Sequence, residues 1–179
     1  MPSPYAHAIA GVMLAAPYLK SKPAAIRHRE EIATIMAFSL VADLDAIPGF
    51  LTRNLSAYHN QISHSILVAL VASLAYATIR RLLPNPKPFW RIFSLAALAY
   101  GVHILMDCFT HGRGVMLVWP ISSQRYAPPG LLFYGLRYSK GWFSHHHLIT
   151  FITESLTMLP VLALVWLLLK KKGLRAHEK

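Results

Sequence analysis

The sequence predicts an all-α protein, a polytopic membrane bundle of about five apolar helices with a long outer loop. Of its 179 residues, 55% are hydrophobic and 14% are charged, a balance far from that of soluble domains. The basic residues behind the net charge of +11 stand in short groups beside apolar runs, as in membrane proteins that contact anionic lipid. This placement of charge argues for a membrane partner and against nucleic acid.

Five apolar segments of helical character follow one another along a single predicted domain, residues 1–179. Breaks at residues 20–23, 48–49 and 84–88 separate the first four, each containing proline. The last three segments approach the roughly 20 residues that cross a bilayer. The first two are shorter and could be re-entrant or interfacial. The loop before the fifth segment covers residues 112–143. The segments are residues 4–19, 30–44, 64–81, 90–109 and 148–169.

The positive-inside rule predicts one topology for these segments. It places the basic groups within residues 20–29, 80–91 and 170–179 in the cytoplasm. Several residues able to bind metal then fall at the outer ends of their helices, although nothing in the charge count requires it. The sequence therefore predicts one site that faces the extracytoplasmic side. These residues are His7, Asp43, His64, Asp107 and Glu154.

Four of the seven acidic residues lie inside or against the most apolar stretches, each near histidines. An ionised carboxylate in a low-dielectric setting costs several kcal/mol unless a positive charge compensates it. The basic residues lie mostly elsewhere in the sequence, whereas a bound divalent metal would supply the charge. The four are Asp43, Asp45, Asp107 and Glu154.

The fourth segment carries the clearest metal-binding pattern. His103, Asp107 and His111 are spaced so that their side chains stack along one helical face. A lone histidine in an apolar helix is usually a core residue, but three metal-binding residues in register predict ligands. We add His7, near the start of the first segment, and Glu154, deep in the fifth, as further ligands.

The second and third segments supply the remaining candidates. His64 is predicted to bind metal from the first turn of the third segment, where Ser63 could cap the helix. His59 precedes it on a loop, as a ligand, an outer contact of the site or a surface residue. Asp43 and Asp45 point in different directions, so one is expected to bind metal and the other to orient a histidine or cap backbone groups. We assign the metal to Asp43, a catalytic role to Asp45, and outer contacts to His59 and Ser63.

The outer loop interleaves aromatic and basic residues. Its rings form an interfacial belt, or the loop closes over the site as a lid that holds an anionic head group; both can be true together. In the lid, Arg113 and Arg125 are predicted to stabilise negative charge that develops in the reaction. The aromatic residues are Trp119, Tyr126, Phe133, Tyr134, Tyr138, Trp142 and Phe143.

Several motifs occur in a fixed order: Asp-x-Asp at residues 43–45, His and Ser-His at 59–64, His-x-x-x-Asp at 103–107, Thr-His at 110–111 and Trp-Pro at 119–120. Together they resemble the bacterial YdjM-like inner-membrane proteins, described as membrane-bound metal-dependent hydrolases, over roughly residues 5–125. The resemblance implies a multi-pass protein of the cell inner membrane. The chain departs from that pattern at Asn60 and Gln61, where Arg-Gly is frequent, and at Ser63, where threonine is usual.

The His-x-x-x-Asp motif is also similar, more distantly, to the zinc-dependent phospholipase C and nuclease group, which are all-helical enzymes with several zinc ions. By that likeness the ligands would be His64, His103, Asp107 and either Asp43 or Asp45.

These observations predict a membrane-bound metal-dependent hydrolase that cleaves a lipid-linked ester or phosphodiester. Zinc is the expected metal, and manganese or iron would also suit the ligands. The metal would activate a water molecule, with Asp45 as general base or as the residue that orients the water. Two alternatives remain: a non-catalytic metal-binding membrane protein, such as a carrier or stress-response component, and a scaffold whose histidines and carboxylates bond one another between helices.

Overall fold

A computed structural model of the protein describes residues 2–54, 58–130, 132–137 and 144–177, with side chains up to residue 171. Within these ranges the chain forms seven α-helices and no strand, which confirms the all-α class. Short 3-10 turns at Ala16–Tyr18, Val41–Asp45 and Ile62–His64 lie between helices. The helices are α1 (Pro4–Ala15), α2 (Lys22–Arg27), α3 (Arg29–Phe38), α4 (Ala46–Leu51), α5 (Ile66–Leu82), α6 (Phe89–Cys108) and α7 (His145–His177).

Two helices in the described part of the chain are long and apolar enough to cross a membrane, namely α6 and the portion His145–Lys171 of α7. A third span results if α3 and Val41–Leu51, which meet at a bend of 46°, count as one broken span. The predicted bundle of about five apolar membrane helices is therefore wrong in number. α5 has 17 residues, or about 25 Å of helix, which is shorter than the roughly 30 Å hydrocarbon core of a bilayer.

Serine side chains fix where several helices begin. The Ser3 side chain accepts a hydrogen bond from the Ala6 amide at 3.4 Å, which starts α1. Ser65 starts α5 by accepting from the Val68 amide at 3.2 Å. The expectation that Ser63 caps this helix is wrong, because the cap lies two residues further on. His64 consequently ends a 3-10 turn in front of the helix and is not in its first turn.

The predicted second segment, residues 30–44, breaks after Phe38. The Ser39 hydroxyl donates to the Ile35 carbonyl at 2.8 Å, a contact of the kind that bends helices. The chain then leaves the helical conformation at Leu40, whose φ is −126°, and enters the turn Val41–Asp45. The break thus lifts Asp43 and Asp45 out of a continuous helix and places them on a tight turn.

The long helix α6 lies at the centre of the bundle and packs against α1, α3 and α5. Small residues on α6, Ala96 and Ala99, are almost fully buried and let its neighbours approach closely. α1 approaches the break after α3 through Gly11, where an added Cβ would meet the Ser39 hydroxyl at 2.8 Å. These contacts bring the start of α1, the turn Val41–Asp45 (called here the broken turn) and the end of α6 together.

The opposite end of the bundle is held by ion pairs. Glu30 at the start of α3 pairs with Arg80 near the end of α5. The neighbouring Glu31 pairs with Arg91 at the start of α6, with 3.1 Å between Glu31 Oε1 and Arg91 Nη2. These ion pairs lie at one end of the bundle, and a separate group of histidines and carboxylates lies at the other.

Candidate metal centre

Six side chains from four parts of the chain meet where α1, the broken turn and the end of α6 come together. The histidines at positions 7, 64 and 103 and Asp107 are at most 1% exposed. The remaining two, Asp43 and His59, lie at the edge, with 11% and 9% of their side chains exposed. Together the six residues are His7, Asp43, His59, His64, His103 and Asp107.

The six residues form two overlapping groups that could each hold a metal ion. In each group, one ligand atom per residue lies within 4.8 Å of all the others. Both groups include Asp43 and Asp107. The first, called here the His7 group, adds His7 and His103; the second, the His59 group, adds His59 and His64.

Distances within the His7 group fit ligands of one ion. The Nε2 atom of His103 lies 3.3 Å from Asp107 Oδ2 and 3.5 Å from Asp43 Oδ1. His7 Nε2 lies 3.7 Å from Asp107 Oδ1. Ligand atoms bound at roughly 2.0–2.1 Å to a tetrahedral zinc lie about 3.3 Å apart. Most of these separations are longer than good hydrogen bonds, so they favour a shared ion over direct pairing.

The buried polar atoms also fit a divalent cation. Both ring nitrogens of His7 and all four carboxylate oxygens of Asp43 and Asp107 are buried without a well-formed hydrogen bond. Leaving such atoms unsatisfied costs free energy, especially for carboxylates. This donor set of imidazole nitrogens and carboxylate oxygens suits zinc, manganese or iron. The scaffold alternative, in which the histidines and carboxylates satisfy one another, accounts for the 2.8 Å contact between His64 Nε2 and Asp107 Oδ2 but not for the atoms of His7 and Asp43.

The hydrogen bond behind His103 directs its inner nitrogen towards the centre. His103 Nδ1 lies 2.8 Å from the Ser39 carbonyl oxygen, which only accepts, so Nδ1 carries the proton. The Nε2 atom then has a free lone pair and faces His64 Nε2 at 3.2 Å. The His103 Nε2 atom can therefore accept a proton or bind a cation at the centre.

Asp45 lies behind the two histidines of the His59 group. Its Oδ1 accepts from His59 Nδ1 at 2.7 Å, and its Oδ2 lies 3.2 Å from His64 Nδ1. Ser63 Oγ donates to the same Oδ2 at 2.5 Å. Tyr100 holds the turn by donating to the Ser63 carbonyl at 2.9 Å. A carboxylate behind a ligating histidine fixes the ring and strengthens it as a ligand.

This arrangement places the predicted residues of the second and third segments as follows. Asp43 and Asp45 diverge, one into the centre and the other onto histidines. For Asp45, whose predicted role is catalytic, the structure shows that both oxygens contact His59, Ser63 or His64. For His59, whose predicted role is an outer contact or a ligand, Nε2 lies 3.8 Å from Asp43 Oδ1.

The electrostatic setting differs between His7 and His64, which both lie outside the candidate spans. Burial lowers the pKa of His7, and the nearby His103 ring adds to the effect, so His7 is neutral and ready to bind metal. Burial is also the largest influence on His64 and opposes its charge, but interactions with Asp107 and Asp45 raise its pKa above the ordinary value. A metal ion at His64 therefore competes with a proton, which makes binding weaker in acid.

Besides Asp45 and Ser63, four predicted site residues lie outside both groups. His111 is exposed, and its amide donates to the Phe133 carbonyl at 3.1 Å. Arg113 donates to the His59 carbonyl at 3.1 Å, and Arg125 donates to the Asn60 carbonyl at 3.0 Å. The two arginines thus hold the turn that carries His59. The fourth residue, Glu154, accepts from the backbone amide and the hydroxyl of Ser3.

Several residues of the predicted lid lie in the described part of the chain. Arg137 lies over the ring of Tyr134, with 4.5 Å between the guanidinium carbon and the ring centroid. Phe133 is buried against α1 and α6, beside Ala6 and Met106. Tyr138, Trp142 and Phe143 lie outside the described residues.

Glu154 is expected to fix α1 and not to bind metal. Its carboxylate lies at the α1 N-terminus, where a negative charge is favourable, and its replacement by alanine would leave Ser3 without these acceptors. We expect Glu154→Ala to lower stability by about 2 kcal/mol, measured as a lower Tm in detergent. Glu154→Gln keeps an acceptor and should lose less. Loss of metal at an unchanged Tm would contradict this role.

Sequence reasoning missed two supports of the centre. The Ser39 carbonyl orients His103 because the helix breaks there. No local sequence motif predicts that break. Tyr100 lies one turn before His103 on α6, a spacing that places both on one face and could have pointed to it.

The fold and this centre define a class: an integral membrane protein with buried histidine and aspartate groups that could bind metal. The chain belongs to the YdjM inner membrane protein family, whose family model matches residues 1–177. With its apolar helices, it is a protein of the inner membrane. No curated protein and no solved structure gives a significant match to the chain.

Proposed function

We propose that this protein is a membrane-bound hydrolase that uses two divalent metal ions to cleave a lipid-linked ester or phosphodiester. The observation that carries the proposal is the sharing of Asp43 and Asp107 between the His7 group and the His59 group. Two carboxylates common to both groups would bridge two ions. Ions about 3.5–4 Å apart are a recurrent arrangement in hydrolytic enzymes that act on esters and phosphate esters.

The residues of the chain would divide the work between binding and orientation. Asp43 and Asp107 would hold both ions, His7 and His103 one of them, and His59 and His64 the other. Asp45 would keep the His59 and His64 rings in place through their Nδ1 atoms. The bound ions would lower the pKa of a water molecule towards neutrality and polarise the oxygen of the bond to be cleaved.

The position of the centre supports a membrane substrate on the extracytoplasmic side. Asp107 lies near the end of α6, one of the two long apolar helices. The basic residues Arg80 and Arg91 belong to the other end of the bundle, which the positive-inside rule assigns to the cytoplasm. We therefore infer that the metal ions lie close to the outer leaflet, where lipid head groups carry ester and phosphodiester bonds.

A metal carrier is the second candidate function, and one observation favours it. The break between α3 and the turn Val41–Asp45 could make this part a broken span or a re-entrant loop, and broken helices form the ion sites of many transporters. In that case Asp43 would move ions across the membrane and not hold them for chemistry.

Hydrolysis by the zinc-loaded protein in detergent tests the proposal. The probes are bis(4-nitrophenyl) phosphate, a phosphodiester, and 4-nitrophenyl butyrate, an ester. We expect the zinc-loaded protein to hydrolyse one of them and His103→Ala to reduce the rate by about 100-fold or more. His111→Ala, a histidine outside both groups, is the matched control and should leave the rate unchanged.

A zinc-loaded protein that hydrolyses neither probe would count against the enzyme. Uptake of zinc into sealed vesicles that contain the protein, abolished by Asp43→Asn, would then establish the carrier.

A further inference from the structure

The described residues at the metal centre differ in how deeply they are buried. The side chains of His7, His64, His103 and Asp107 are 0% exposed. Exposure instead rises at the turn, where Asp43 is 11% and Asp45 14% exposed. The turn Val41–Asp45 and the helix α4 that follows it therefore border the less buried side of the centre, together with His59, whose side chain is 9% exposed.

That side is bordered by exposed apolar side chains, which we name the α4 face: Leu44, Ile47, Phe50 and Leu51. They are 58%, 51%, 46% and 82% exposed in that order. Their spacing puts Leu44, Ile47 and Leu51 on one side of the segment, whereas Ala46 and Gly49 are buried on the other.

The α4 face differs from the exposed apolar surfaces of the long helices. α4 has six residues, about 9 Å of helix, and cannot itself cross a bilayer. It continues directly from the centre, because Leu44 stands between Asp43 and Asp45 on the same turn. The α4 face therefore places exposed apolar side chains directly beside the metal centre.

We propose that the α4 face binds the hydrocarbon tail of the lipid whose head group is held at the metal ions. The inference rests on the proposed function and adds to it the binding site of the lipid tail and the direction of entry. The substrate is an amphiphile with its reactive ester or phosphodiester close to its tail. It enters sideways from the bilayer, tail along α4 and head group past Asp43.

A pair of phosphonates tests this proposal at the metal itself. Hexadecylphosphonic acid and methylphosphonic acid share a head group that is not hydrolysed, and only the first has a long tail. Binding of each to cobalt-loaded protein in lipid nanodiscs is followed by the cobalt absorption spectrum. We expect the long phosphonate to bind at least about tenfold more tightly, because burying even a few methylene groups has that effect.

The double variant Phe50→Ser/Leu51→Ser is expected to lose most of this preference and to keep its affinity for methylphosphonic acid. The matched control, Leu70→Ser/Val71→Ser, alters two exposed apolar residues of α5 and should keep the preference. An equal preference in both double variants would overturn the α4 face as the tail site. Failure of the cobalt-loaded protein to respond to either phosphonate would overturn the proposed hydrolase as well.

Discussion

Replacing Asp107 by asparagine is expected to remove both metal ions at once. Asp107 belongs to both groups, is buried on α6, and presents oxygens to three histidines. An amide oxygen is a weaker ligand and carries no charge to balance the ions. Elemental analysis of purified protein should give about two zinc ions per chain for the wild type and almost none for Asp107→Asn.

Replacing a residue that belongs to only one group is expected to remove one ion instead of both. His59 belongs to one group only, so His59→Ala is expected to keep one ion where Asp107→Asn keeps none. Cys108→Ala changes the neighbouring buried residue on α6 and should keep both ions. A single ion in the wild type, lost in both His59→Ala and Asp107→Asn, would contradict the shared carboxylates.

Replacing Asp45 by asparagine is expected to weaken metal binding by about 10–100-fold without removing a ligand. Asp45 accepts from His59 Nδ1 and contacts His64 Nδ1 through its other oxygen. Asparagine has one oxygen and one NH₂ group, so it cannot accept at both positions, and one ring loses its orientation. Competition with a coloured zinc chelator measures the affinity.

Glu30→Gln is the matched control for Asp45→Asn. It makes the same change of carboxylate to amide, at an ion pair on the opposite end of the bundle. Its zinc affinity should equal that of the wild type. If Asp45→Asn also equals the wild type, Asp45 does not act through the histidines.

The helical segments could be predicted from the sequence because apolar runs and proline breaks are local signals. The number of membrane spans could not be predicted in this way. The break after Phe38 depends on the Ser39 hydroxyl returning to its own helix and on Gly11 of α1 packing there. The serine contact competes with the helix that the composition of residues 30–44 favours. The glycine contact is a tertiary contact between α1 and the break, and no local pattern predicts it.

Local spacing predicted the pairing of His103 with Asp107, since residues four apart share a helical face. The opposite directions of Asp43 and Asp45 also followed from their spacing. The placement of His59 did not, because it depends on Arg113 and Arg125 binding the carbonyl groups of residues 59–60 across more than 50 positions of sequence. The role of Glu154 could not be predicted for the same reason. Its apolar setting indicates a buried carboxylate, but its partner Ser3 is 151 residues away.

The six residues of the centre are contributed by α1, the broken turn, the segment before α5, and α6, and thus by the whole first hundred or so residues. No partly inserted chain has all of them in place. Metal uptake is therefore coupled to completion of the bundle. The ions would bind only after all four parts of the chain have come together. Chelation should then loosen the packing of α1 against α6, so that proteolysis within α1 reports how much of the protein is metal-loaded.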